Sequence, residues 1–272
     1  MKSSRELSVD HELIEKVENF NLSGIALKGL KWLLGNEEIQ AAQEYANTVS
    51  IVRLGYNDHG PVHMRKVALN AIIMFDLIRK AGIKTTLEND LCGDFEDSLL
   101  AVITAAMLHD IGMGLGRQEH EIHSTTLALP FIDKLLNEVY KEDDYRKKAM
   151  IRAITLEGIR GHMGTFYVSS LEAGFIQVAD GLDMTKGRAR IPVSLIHNPR
   201  SGNIHQYSAN SIEEVRISAG TEKPIRVDVN MSSEVGLFQV EEVLMNKVAG
   251  SSAKELIQLH AWVLNETERR YL

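Results

Sequence analysis

From Val9 to about Asp183 the apolar positions of the chain recur every three to four residues, and after Pro192 the pattern changes to alternation. The first stretch predicts helices before Asn21, from Ser23 to Leu34 and from Glu37 to Leu54, with Gly35-Asn36 as a turn. A further helix starts near Pro61, whose fixed φ suits a first turn, and carries Val62, Leu69, Ile72, Ile73 and Leu77 on one face as far as Ala81-Gly82. After the polar connection from Thr85 to Asp97, the unbroken apolar run from Leu99 to Leu108 reads as a buried helix, closed by a loop from Gly112 to Gly116. Helices follow from Glu119 or Ser124 to Tyr140, from Tyr145 to Ile159 and from Ser169 to Asp183, with Gly161-His162-Met163-Gly164 breaking the pattern between the last two.

Beyond Pro192, Glu213 to Ala219 and Pro224 to Met231 alternate, the second as Ile225, Val227, Val229 and Met231 against Arg226, Asp228 and Asn230. Ser232-Ser233 is placed to cap a helix with Leu237, Val240, Leu244 and Val248 inward, ended by Gly250, and Ile257, Leu259, Ala261 and Val263 alternate again. The expected architecture is mainly α: a helical domain over 1–200, of which 1–54 is scaffold, and a small α+β unit of β-β-α-β order over 205–272, joined through His197 to Asn203. The exposed strand edges of that unit suggest pairing across a homodimer.

Composition narrows the chemistry. The 272 residues carry a net charge of -7, with Lys and Arg scattered between acidic residues, which argues against general nucleic-acid binding. Cys92 is the only cysteine, so neither an intramolecular disulfide nor a thiolate metal cage can form, and any metal must be held by nitrogen and oxygen. Met1 to Phe20 is charged throughout and lacks a signal-peptide core, and the run at 99–108 is too short to span a bilayer. A cytoplasmic protein without membrane association is expected.

His109-Asp110 stands at the end of the buried helix. A carboxylate there faces the negative end of the macrodipole and loses its hydration, so it needs a positive charge close by, which a bound metal would supply. A second buried carboxylate is predicted further on, where Ile176, Ala179, Asp180 and Asp183 fall together in the helical period.

His63 in its helix, "AAMLHDIGMG" and "FIQVADGLDMTKGR" occur in the order His, His-Asp, Asp. This order resembles the HD superfamily of metal-dependent phosphohydrolases over roughly residues 50–192. The resemblance implies an all-helical metal-binding domain with His63, His109, Asp110 and Asp180 as ligands of a first metal, and Asp110 as a bridge to a second. It also implies further histidines on the second metal; His120 and His162 match best by order, with His123, three residues from His120, as a rival. The string Asn57-Asp58-His59-Gly60-Pro61-Val62-His63 looks like the cyclic-nucleotide phosphodiesterase segment in which the earlier histidine donates a proton, although the longer signatures of those enzymes are absent.

His59, Asp110 and Lys186 are therefore the candidate catalytic residues, and Arg117, Lys186, Arg188 and Arg190 the candidates for binding phosphate oxygens. One or two divalent ions are implied, with Mn, Fe, Co, Ni, Zn or Mg compatible with a nitrogen-and-oxygen shell. Asp58 and Asp183 read as capping or ion-pair residues, and His11, His197, His205 and His260 receive no role. The expected activity is hydrolysis of a phosphate ester, a mono- or diester of a nucleotide or related small molecule. The alternatives are a di-iron oxygenase on a similar helical site and a regulatory module that binds nucleotide or metal without turnover.

Overall fold

Side-chain caps set the starts of several helices in the computed structural model, which describes residues 2–186, 204–264 and 267–272. Ser3 and Glu6 form a reciprocal capping box at the head of α1 (Ser4–Glu18). Asn36 follows α2 (Ile25–Gly35) and accepts from Ile39 N to cap α3 (Glu37–Thr48), which continues through a π-helical turn, Val49–Arg53. Pro61 stands in the first turn of α4 (Pro61–Lys80), as its φ predicts.

A second capping box, Thr85 with Glu88, makes a short α5 (Thr86–Asn89) inside what the pattern presents as a connection. A third, Asp94 with Asp97, opens α6 (Phe95–Leu108). Every residue of α6 is buried, because α2, α4, α8 (Tyr145–Gly161) and α9 (Leu171–Leu182) pack around it. That explains its unbroken apolar run. A 3-10 turn, Ile111–Gly114, then leads to α7 (His120–Val139).

The start of α4 is held by a buried charge. Arg65 is 1% exposed; its Nε donates to Asp10 Oδ1 of α1 at 2.6 Å, and its Nη atoms donate to Gln43 Oε1 of α3 at 3.1 Å and Gln40 Oε1 at 2.9 Å. Gln43 in turn donates to the Met107 carbonyl at 2.7 Å. The amino-terminal helices thereby tie the first turn of α4 to the last turn of α6.

The C-terminal unit opens with a helix, α10 (Ile204–Ser211), followed by β1 (Ile212–Ala219), β2 (Ile225–Met231), β3 (Ile257–Val263) and a short β4 (Arg269–Arg270). The sheet order is β1-β2-β3-β4, antiparallel except for the parallel β2–β3 pair, whose crossover carries a helical segment. Two expectations change here. Ser233 does not cap the crossover helix: its hydroxyl lies 3.0 Å from that of Ser211, and a 3-10 turn, Glu234–Gly236, comes first. The helix itself runs as a π-helical segment, Gln239–Leu244, into α11 (Met245–Ala249), with Val240, Leu244 and Val248 buried as the stripe predicts.

The alternation of β3 also does not make a half-exposed strand. Gln258 and His260 are buried beside its apolar residues, because β3 is central and Gln258 Oε1 accepts from the amides of Glu222 and Lys223 in the β1–β2 turn. The joining segment from His197 to Asn203 lies outside the described residues. No described helix is long and apolar enough to cross a membrane.

Replacing Asp10 with Asn leaves the Arg65 guanidinium buried without its counter-charge. The expected loss is about 3–5 kcal/mol of unfolding free energy by denaturant titration, with the helical far-UV signal retained at low denaturant.

Candidate metal centre

Helix ends carry the cluster. His63 lies in the first turn of α4, His109 caps the C-terminus of α6 with Asp110 directly after it, His120 begins α7, His162 caps α8, and Asp180 lies in the last turn of α9. All six are buried. The carboxyl ends of α6, α8 and α9 thus contribute the negative poles of three helices to a region already holding two carboxylates.

Backbone geometry sets the histidine tautomers. Nδ1 of His109, His120 and His162 lies 2.8, 3.0 and 2.7 Å from the carbonyls of Ala106, Arg117 and Ile159, in each case three residues earlier in the chain. A carbonyl can only accept, so each Nδ1 carries the hydrogen and each Nε2 presents a lone pair. His63 reaches the same state through Asp183, whose Oδ2 lies 2.8 Å from Nδ1 while Oδ1 accepts from Lys66 at 3.1 Å. Asp183 is thus the ion-pair residue its type suggested, and it orients a cluster histidine.

The Nε2 atoms converge. His63 and His109 are 3.2 Å apart at these nitrogens, and His120 and His162 are 3.1 Å apart. Asp110 lies between the pairs: Oδ2 is 3.3 Å from both His63 and His109, and Oδ1 is 3.1 Å from His120 and 3.4 Å from His162. Asp180 Oδ1 adds a contact of 3.1 Å to His63. Among the described residues, no donor is aligned to hydrogen bond with Asp110 Oδ1, although the atom is buried.

Lone pairs facing lone pairs at these distances repel unless a cation lies among them. Two nitrogen or oxygen donors bonded at about 2.1 Å to one ion sit about 3.0–3.4 Å apart, so the spacings match a coordination shell. Two triads each bring one ligand atom per residue within 4.8 Å of one another: His63, His109 and Asp180, and His109, Asp110 and His162. The donor set fits divalent metal.

The ionisation states agree with that use. Burial pushes His162 down to about 4, and the Asp110 carboxylate beside it does not offset that, so the ring is neutral near pH 7. Burial alone would raise Asp110, but the imidazoles of His109, His59 and His120 around it hold its carboxyl well below the usual range, so it stays ionised.

The family model described as HD domain matches residues 62–185, a span that contains every residue of the cluster. This chain belongs to the HD-domain superfamily. An uncharacterized protein of Methanocaldococcus jannaschii is 40% identical over 246 residues, covering 90% of this chain and 92% of that one. No solved structure matched the chain. The HD superfamily is one of metal-dependent phosphohydrolases; the helical fold is the one the resemblance implied, and the His/Asp cluster fits a metal site.

The remaining predicted residues separate into three groups. His59 and Arg117 line a cavity of about 520 Å³ that opens onto Asp110, His162 and Asp180 of the HD cluster. His59 is positioned by Asn47 Oδ1, which accepts from its amide at 3.1 Å, and by the Asn57 carbonyl 2.7 Å from Nδ1; Asp58 meanwhile caps Gly60 N. Arg117 Nη1 lies 3.4 Å from His120 Nε2. Of the rival pair, His120 is brought to Asp110 while His123 is half-buried one turn along α7.

Lys186 is exposed, its ammonium paired with Glu213 at the start of the sheet, and it does not line the cavity. Arg188 and Arg190 lie outside the described residues. Lys247, not among the predicted residues, also lines the cavity; it is buried, with its ammonium bonded to Asp180 Oδ2 and donating to the His162 carbonyl at 3.0 Å. Its signal was present in the sequence, since Val240, Leu244 and Lys247 follow helical spacing on the inward stripe.

Gly112 lets the Asp110 turn meet α7. A Cβ there would lie 2.1 Å from the His120 carbonyl and 2.5 Å from Ser124 N, both backbone atoms, and Gly112 N donates to Ser124 Oγ at 2.8 Å. Gly112→Ala is expected to part His120 from Asp110 and weaken metal binding by about 10–100-fold, read by metal titration of the purified variant.

Proposed function

We propose that the protein is a phosphohydrolase that cleaves a small phosphate ester, a nucleotide or related molecule, using two divalent ions. The observation that carries this reading is the Asp110 carboxylate, with one oxygen facing His63 and His109 and the other facing His120 and His162. His63, His109, Asp110 and Asp180 are proposed to hold the first ion, and Asp110, His120 and His162 the second. When bound, such ions activate a water for in-line attack and neutralise charge developing on phosphoryl oxygens.

The chain's own groups supply the rest. Arg117, beside His120 on the cavity wall, is placed to bind phosphoryl oxygens through its guanidinium fork. His59 holds its Nδ1 against the Asn57 carbonyl and is assigned to deliver a proton to the departing oxygen. The cavity volume of about 520 Å³ suits a nucleotide-sized ligand, and Tyr56 on its wall offers a ring for stacking. Lys186, held on Glu213, has no part in this scheme.

Two variants and one screen test the proposal. Wild-type protein loaded with Mn2+ or Co2+ should release phosphate, or cleave a diester, from at least one member of a nucleotide panel. Asp110→Ala should lose both metal content and hydrolysis. His59→Gln should keep its metal and lose about 10²–10⁴-fold in kcat. Turnover by a metal-free Asp110→Ala protein would end the reading, and iron-specific oxygen consumption without phosphate release would turn it toward an oxygenase.

A further inference from the structure

The C-terminal unit seats directly on the helix that carries Asp180. At Gly174 of α9 a Cβ would lie 2.3 Å from Ser252 Oγ and 2.7 Å from Ser251 Oγ, and at Gly181 it would lie 3.0 Å from Leu244 Cδ1 and 3.2 Å from Lys247 Cδ. Two turns apart, these glycines clear one face of α9 for the crossover helix and the residues after it. Ser251 Oγ and Ser252 Oγ then donate to the carbonyls of Gly174 and Ser170 at 3.0 and 2.6 Å.

This seating delivers Lys247 to the cavity. Its ammonium is buried, an expensive placement for a hydrated point charge, and both of its acceptors belong to the cluster: the Asp180 carboxylate and the His162 carbonyl. Asp180 divides its two oxygens, Oδ2 to Lys247 and Oδ1 toward His63 at 3.1 Å, so the ammonium does not displace the carboxylate from the histidines. Lys247 also lines the open cavity together with Arg117. The two cations flank the cluster at different members, Arg117 at His120 and Lys247 at Asp180. A phosphoryl group entering between them would meet a positive charge on each side.

We propose that Lys247 is a phosphate ligand of the substrate, contributed by the C-terminal unit from outside the matched HD span. The proposal rests on the phosphohydrolase reading above. It gives the C-terminal unit a direct part in the site: the unit's helix completes the wall and brings the second cation.

The test uses the full chain loaded with Mn2+, titrated calorimetrically with inorganic phosphate, alongside metal content and melting temperature. Lys247→Met is expected to keep its metal and fold and to bind phosphate at least tenfold more weakly, with Lys247→Arg regaining part of the loss. Lys247→Gln, which retains a donor but no charge, gives the same loss and serves if the Met variant does not fold. Unchanged phosphate affinity in the Lys247 variants, with a wild type that hydrolyses esters, would overturn the role of Lys247 alone. Loss of metal together with phosphate affinity would instead make Lys247 a positioning residue for Asp180 and would also overturn the proposal. A wild type that neither binds phosphate nor releases it from any ester would remove the phosphohydrolase reading itself.

Discussion

Repulsion between buried lone pairs is the constraint on which the helical part of the molecule depends. The Nε2 atoms of His63, His109, His120 and His162 are held toward each other and toward Asp110 because their Nδ1 hydrogens are already committed, three to backbone carbonyls and one to Asp183. Nothing within the cluster can protonate every contact, so the arrangement is stable only with positive charge among the donors. Lys247 supplies part of it at Asp180. The rest is what a divalent ion provides.

Holding such a cluster together requires rigid surroundings. Arg65 joins α1, α3 and α4 through Asp10, Gln40 and Gln43, and Gln43 passes the restraint to the last turn of α6 through Met107. The fully buried α6 then fixes His109 and Asp110 by packing on all sides. Close backbone approach at Gly112 brings in α7, and with it His120. The donors are placed by helix ends, where a side chain can face inward without breaking a hydrogen-bonded turn.

Much of this was legible in the chain. The apolar run before His109-Asp110 announced a buried helix end, and the order His63, His109-Asp110, Asp180 carried the family. The choice between His120 and His123 was not legible, because residues three apart can share a helix face and only the start of α7 at His120 sets the phase. Lys186 follows Asp180 closely in sequence, yet Asp180 is buried in the last turn of α9 and Lys186 has passed beyond that helix to the sheet. Lys247 is the opposite case: its place on an inward helical stripe is legible, but its partner is not, because it is 67 residues from Asp180 in sequence and touches it in space. Burial of Gln258 and His260 was hidden because alternation does not reveal whether a strand is central.

The seating of the C-terminal unit on Gly174 and Gly181 has a consequence for the order in which the molecule is made. Ribosomal synthesis proceeds from the amino terminus, so all six donors of the cluster are produced before Lys247. While the chain is still growing, the face of α9 later covered by the crossover helix is bare and Asp180 lacks its ammonium. A nascent chain at that stage presents the more negative form of the cluster, and the C-terminal unit, translated after it, closes it.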